Sequence, residues 1–120
     1  MLSKGLAYEK IALDFLSSKG LKHVESNFHT RFGEIDLIMK ERNTLVFIEV
    51  RFRNSGHYGS AAESVNVLKQ KKIIKSAKFF LNQNNFWHLC IRFDVIAITP
   101  KTTTTKENDI CWFKSAFITE

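Results

Sequence analysis

The chain has 120 residues, of which 44% are hydrophobic and 25% are charged. These values are typical of one soluble globular domain spanning residues 1–120, and they exclude an intrinsically disordered chain. No apolar run approaches the roughly 20 residues that cross a bilayer, and residues 1–10 lack the apolar core of a secretory signal. We therefore expect a cytoplasmic protein that does not associate with membranes.

The charge balance is strongly basic. Lys and Arg number 18 against 12 Asp and Glu, which gives a formal net charge of +6 at pH 7. Such an excess favours a polyanionic partner, nucleic acid before an anionic lipid surface. The two cysteines are too few for a disulfide framework and lack metal-ligand spacing.

Residues 3–19 have the pattern of an amphipathic helix that ends at Gly20. One residue departs from this pattern, because Glu9 falls inside the apolar arc, between Leu13 and Leu16. A carboxylate there is costly unless it is paired, hydrogen-bonded or bound to a cation. Glu9 is therefore a candidate ligand, with a half-exposed position at the helix edge as the alternative.

Three strands are predicted next, over residues 22–30, 34–40 and 44–53. The turn-forming pair Arg42-Asn43 joins the last two strands into a hairpin. Alternation in the second strand places its apolar residues on one face and Glu34 and Asp36 on the other. The apolar set is Ile35, Leu37 and Met39.

A long helix is predicted from about residue 61 to residue 84, followed by strands over residues 89–99 and 110–118. The order is αβββαββ, which indicates a mixed α/β domain with a central sheet flanked by helices. In the fourth strand Arg92 and Asp94 share a face, and we interpret them as a structural ion pair.

The hairpin places two acids together. With a two-residue turn, Asp36 lies opposite Glu49, with Cβ atoms about 4.5–5.5 Å apart. Carboxylates this close repel each other unless a proton or cation lies between them, and such oxygen ligands suit Mg²⁺ or Mn²⁺. Arg51 follows on the same face, where it could contact a phosphate. The alternative is a solvated charge ladder on an exposed sheet face.

The long helix carries a cluster of cations, Lys69, Lys71, Lys72, Lys75 and Lys78. A solvated lysine face is the ordinary interpretation of such a cluster. Beside a metal site, however, these lysines and Arg53 would form a track for a phosphate backbone. No motif for reading bases accompanies them, so weak sequence selectivity is expected.

Three segments form a recognisable combination: residues 33–38 (GEIDLI), 46–53 (VFIEVRFR) and 92–95 (RFDV). Residues 7–9, 61–72 and 116–117 fit the same pattern. In order and spacing, these blocks resemble those of the YraN family, a group of small bacterial proteins, over nearly the whole chain.

The resemblance implies a restriction-endonuclease-like fold, similar to that of archaeal Holliday junction resolvases. The active site of that superfamily has an Asp, then Glu-x-Lys on the next strand, and often a Glu from the first helix. The matching residues are Asp36, Glu49 and Glu9, which would hold Mg²⁺ or Mn²⁺. Arg51 stands where the superfamily has Lys.

This replacement changes the chemistry that the position can perform. Arg stays protonated at any useful pH, so Arg51 can bind phosphate but cannot exchange a proton with the attacking water. Lys69 could substitute for the missing ammonium, although an ordinary surface lysine is the simpler interpretation.

The leading hypothesis is a metal-dependent nuclease that acts on structured or branched DNA, and a symmetric junction substrate would suit a homodimer. The first alternative is a nucleic-acid-binding accessory protein whose nuclease site no longer works. A domain that docks an acidic protein is the third possibility, and it rests on charge alone.

Overall fold

The computed structural model describes residues 4–52, 65–100 and 108–118. The helices and strands are α1 (Lys4–Ser18), β1 (Lys22–Thr30), β2 (Gly33–Glu41), β3 (Thr44–Phe52), α2 (Val67–Asn84), β4 (Cys90–Pro100) and β5 (Asn108–Phe117). In the described ranges, the strands form one sheet in the order β1-β2-β3-β4-β5. β3 and β4 are parallel, and the other neighbours are antiparallel. The predicted mixed α/β order is confirmed.

The two helices cover opposite faces of the sheet. Alternate residues of β3 enter different cores: Val46 and Ile48 pack with Leu16 of α1, whereas Phe47 packs with Phe80 of α2. Parallel neighbours such as β3 and β4 need a crossover connection, and here the crossover contains α2. Both faces of the central strand are therefore covered. Among the described residues, no helix is long and apolar enough to cross a membrane.

The second helix begins later than predicted. Asn66 is its N-cap, with a side-chain oxygen that accepts a hydrogen bond from Lys69 N at 2.9 Å. Because an N-cap residue lies outside the helical backbone and satisfies its first free N–H groups, the helix starts at Val67. The predicted start near residue 61 is wrong for residues 65 and 66, and residues 61–64 lie outside the described ranges.

The alternation of β2 breaks at Asp36, which the sequence pattern did not predict. Ile35 joins the core under α2, whereas Leu37 and Met39 join the core under α1. Asn27 of β1 lies across from Asp36 and has a positive φ of 52°. Asn tolerates this left-handed conformation, and a local break in the ladder moves later residues to the other face. The predicted common face for Ile35, Leu37 and Met39 is therefore wrong.

The predicted ion pair in β4 is confirmed, and it is the centre of a buried network. Asp94 is fully buried and accepts hydrogen bonds from Arg92 Nε and Nη2, at 2.9 and 3.0 Å. Trp112 Nε1 donates to the same carboxylate at 2.8 Å, and Ser115 N donates at 3.0 Å. This network ties β4 to β5 on the side of the sheet away from β1.

Candidate active site

The candidate site lies where β2 and β3 separate. The predicted register is confirmed from Glu41–Thr44 to Leu37–Ile48, the last backbone pair of the two strands. Just beyond this pair, Val50 N donates a hydrogen bond to Asp36 Oδ2 at 2.9 Å. The Asp36 carboxylate thus takes the place of a backbone acceptor, and it also forms a hydrogen bond with the side chain of Glu49.

Glu49 is buried, with only 5% of its surface exposed. A carboxylate on a wet sheet face would be mostly exposed, so the solvated charge ladder is wrong for this residue. Helix α2 shields Glu49 from solvent. Lys69, in the first turn of α2, packs against the face of β3 that carries Glu49.

Two further acids approach Asp36. One carboxylate oxygen each from Glu9, Glu34 and Asp36 lies within 4.8 Å of the other two. Glu9 forms a side-chain hydrogen bond with Asn27. Its Oε1 is buried and has no hydrogen-bond partner among the described residues. Glu9 therefore points towards Asp36, the direction expected from its place in the apolar arc.

Glu34 was not among the predicted site residues. The sequence did place it on the face of Asp36, two positions earlier in the strand, so the signal was present. An exposed acid beside a strand end is common, and Glu34 has a nearby partner in His29, whose Nε2 lies 3.7 Å from Glu34 Oε1. Its place in the site depends on the approach of Glu9 from α1.

The burial and close approach of these acids raise the pKa values of Asp36 and Glu9. Burial, reinforced by the hydrogen bond with Glu49 and by its charge, raises the pKa of Asp36 to about 9, against the opposing effect of Val50 N–H. Burial also raises the pKa of Glu9, with support from the charges of Glu34 and Glu49. The hydrogen bond from Asn27 and nearby His29 act in the opposite direction. The cluster therefore favours an added positive charge.

Two cations contact the other side of the cluster. Lys69 Nζ lies 2.6 Å from Glu49 Oε2, in a contact of opposite charges rather than an aligned hydrogen bond. Arg51 Nη2 lies 3.6 Å from the same oxygen. Arg51 Nε is buried and has no hydrogen-bond partner in the described part of the chain. Lys69 is thus the cation closest to Glu49. Arg51 is farther from Glu49, and its Nε–H has no acceptor among the described residues.

Two adjoining cavities open onto these residues. The first cavity has a volume of about 350 Å³ and includes Glu34 and Lys72 in its wall. The second, about 230 Å³, lies on the side of α1 and includes Glu9 in its wall. The residues common to both cavities are Asp36, Glu49 and Lys69. The site is thus accessible from both faces of the sheet, through the gap between β2 and β3.

The lysines of α2 divide between two surfaces. Lys69 and Lys72 line the first cavity of the site. Lys71, Lys75 and Lys78 line a separate groove of about 610 Å³ between α2 and the end of β5. Arg53, the remaining residue of the predicted phosphate track, lies outside the described residues.

The raised pKa of Asp36 predicts a stability that falls with rising pH. The unfolded chain loses this proton near pH 4, whereas the folded protein holds it to about pH 9. Folding therefore takes up a proton between these values, and the free energy of unfolding should decrease by up to about 1.4 kcal/mol per pH unit. Asp36→Asn should reduce this slope to the part contributed by Glu9, whose pKa is also raised, because the amide cannot titrate but retains an oxygen for Val50 N–H.

Urea unfolding between pH 5 and 8.5, in buffer with a chelator, measures this effect. Asp14→Asn on the exposed side of α1 is the matched control and should keep the slope of the parent. Equal slopes for the parent and Asp36→Asn would contradict the prediction.

Comparison with known proteins gives a consistent result. The family model described as "Uncharacterised protein family UPF0102" matches residues 8–98. A UPF0102 protein of Psychromonas ingrahamii is 46% identical over 115 residues, covering 96% of this chain and 89% of its own. One from Stutzerimonas stutzeri is 44% identical, covering 96% and 94%. UPF0102 protein VV0603 of Vibrio vulnificus is 44% identical, covering 93% and 89%.

Proposed function

Since the chain belongs to the uncharacterised protein family UPF0102, the YraN family that its sequence resembles, we propose a function from its site. The protein is a nuclease that uses Mg²⁺ or Mn²⁺ to hydrolyse phosphodiester bonds in structured or branched DNA. The observation that carries this proposal is the convergence of Glu9, Glu34 and Asp36 beside Glu49 and Lys69.

The acids fit a hard divalent cation. Oxygens that share an octahedral cation at about 2.1 Å are about 3–4 Å apart, so small side-chain rotations would bring the three clustered oxygens into range. Glu9 Oε1 is buried without a partner, and a ligand would satisfy it. Glu9, Glu34 and Asp36 would hold the ion, with Glu49 beside them. Once bound, the ion lowers the pKa of water and stabilises charge on a phosphate.

The chain's own cations have different roles. In hydrolysis, a water oxygen attacks phosphorus, the bond to the leaving oxygen breaks, and a proton moves from the water to the leaving oxygen. Lys69 lies beside Glu49 and can hold or pass such a proton, because an amine exchanges protons whereas a guanidinium stays charged. Arg51 stays charged, and its guanidinium would bind the phosphate.

The fold supports the same proposal. Three antiparallel strands, a helical crossover and a parallel fourth strand agree with the restriction-endonuclease-like arrangement that the sequence resemblance implies. For a symmetric junction substrate the proposal includes a homodimer, acting in the cytoplasm.

One observation favours the alternative of a non-catalytic nucleic-acid-binding accessory protein. Lys69 and Arg51 already compensate Glu49 without any added ion. In a site that no longer binds a metal, such cations would offset the charge of the acids in its place. The accessory protein would bind DNA through the cations around the first cavity without cleaving it.

Metal binding and cleavage, measured on matched variants, separate the two functions. Mn²⁺ should raise the melting temperature of the parent and of Asp14→Asn but not that of Asp36→Asn, since a ligand stabilises only the state that binds it. The parent and Asp14→Asn should cleave forked or four-way DNA in Mg²⁺ or Mn²⁺, and Asp36→Asn should not. DNA binding without cleavage, together with no metal-dependent shift, would establish the accessory protein instead.

A further inference from the structure

The connection between β1 and β2 is held rigidly beside the candidate site. Thr30 Oγ1 accepts hydrogen bonds from Phe32 N at 3.0 Å and Gly33 N at 3.3 Å. The same hydroxyl hydrogen-bonds Ser76 Oγ at 2.8 Å, and Ser76 is fully buried in α2. Residues 31 and 32 are therefore fixed to the helix that carries Lys69, and only Gly33 separates them from Glu34.

This connection places one aromatic ring close to two cations. Arg31 Cζ lies 5.0 Å from the centroid of the Phe32 ring, and Lys75 Nζ lies 5.7 Å from it. Arg31 and Lys75 are exposed and Phe32 is half-buried. Within the described part of the chain, neither cation forms an ion pair with an acid. Their positive charge is thus available to an anionic ligand.

We propose that Arg31, Phe32 and Lys75 form a nucleotide-binding element that continues the substrate path beyond the scissile phosphate. The Phe32 ring stacks on a base, while Arg31 and Lys75 bind the adjoining phosphates. Both cations end long side chains, so they can move from the ring to a phosphate when a strand binds. This inference rests on the proposed function, because it takes the cavity lined by Glu34 and Lys69 as the cleavage site.

The element defines a substrate class. In a continuous duplex, both faces of each base are covered by neighbouring bases, so an aromatic side chain can stack only on an unpaired base. Phosphate contacts alone would not distinguish duplex from unpaired DNA. The substrate therefore has an unpaired nucleotide close to the bond that is cut, as in a fork or a flap.

Binding measured in a chelator, where no cleavage occurs, tests the inference. The probes are a forked DNA with 2-aminopurine in the unpaired arm and a fully paired duplex of the same length. Phe32→Leu keeps an apolar side chain but removes the aromatic face. Phe79→Leu, at an exposed phenylalanine of α2, is the matched control. Phe32→Leu should weaken fork binding by roughly 5- to 150-fold and leave duplex binding unchanged.

Fluorescence distinguishes stacking from a general loss of affinity. The parent and Phe79→Leu should quench the 2-aminopurine on binding, and Phe32→Leu at saturating protein should not. Equal affinity of the parent and Phe32→Leu for the fork, or equal losses on fork and duplex, would overturn the inference.

The outcome is separable from that of the proposed function. Fork-selective binding that depends on Phe32, in a protein that cuts nothing with either metal, would support the element and refute the nuclease. Cleavage of forks with unchanged binding by Phe32→Leu would support the nuclease and refute the element.

Discussion

Replacing Lys69 with methionine is expected to lower the rate of phosphodiester cleavage by about 10²–10⁴-fold, the usual loss when an acid–base group is removed. Lys69 Nζ lies 2.6 Å from Glu49 Oε2, and the residue lines both cavities of the site. Arg51 cannot take over proton exchange, because its guanidinium stays charged. Methionine matches the apolar part of the lysine side chain, so the change removes mainly the ammonium.

Lys78→Met is the matched control for this experiment. It makes the same substitution on the same helix, but Lys78 lines the groove beside β5 rather than the site. Single-turnover cleavage of a forked substrate is the measurement, with the melting temperature of each variant as a check on folding.

Arg51→Lys provides a second comparison. By placing an ammonium at the Glu-x-Lys position, it should raise the cleavage rate of the parent and restore part of the rate lost in Lys69→Met. If Lys69→Met cuts at the rate of the parent while Arg51→Lys cuts more slowly, then Arg51 supplies the required cation and the role given to Lys69 is wrong.

Asp94→Ala is expected to lower the free energy of unfolding by about 3–5 kcal/mol, the usual cost of removing one partner from a buried ion pair. The carboxylate accepts four hydrogen bonds, and its loss leaves donors from Trp112 and Ser115 without their acceptor. Arg92 would then keep only Glu41, whose Oε1 lies 2.8 Å from Arg92 Nη1. For a chain of this size, that cost corresponds to a fall in melting temperature of about 10–20 °C.

Urea unfolding monitored by tryptophan fluorescence and by circular dichroism measures this loss. Asp14→Ala is the control, because Asp14 forms an exposed pair with Lys10 and such pairs contribute about 0–1 kcal/mol. A loss below about 1 kcal/mol for Asp94→Ala would show that the network adds little to stability.

The sequence was sufficient for the order of elements and for the central hairpin. Alternating hydrophobicity has a fixed period, and the pair Arg42-Asn43 sets the register that the structure shows between Leu37 and Ile48. The role of Glu9 as a candidate ligand was predictable for a different reason. A charge within the apolar arc of a helix indicates a partner from another part of the chain or a bound cation.

What the sequence could not predict depends on distortion and on contacts between distant elements. Asn27 breaks the alternation across from Asp36, and a regular period cannot anticipate one residue in a left-handed conformation. The position of Lys69 against Glu49 depends on where α2 begins, which the Asn66 cap determines.

The hydrogen bond from Val50 N to Asp36 Oδ2 has a consequence for interpreting other members of the family. Asp36 closes the backbone ladder where β2 and β3 part, so selection for a folded sheet alone is enough to retain Asp or Asn there. Glu9 Oε1 supports no neighbour among the described residues. Under the proposed function, a member that keeps an acid at position 36 but has lost Glu9 would fold without a complete metal site, and position 9 would then be the better marker of that site.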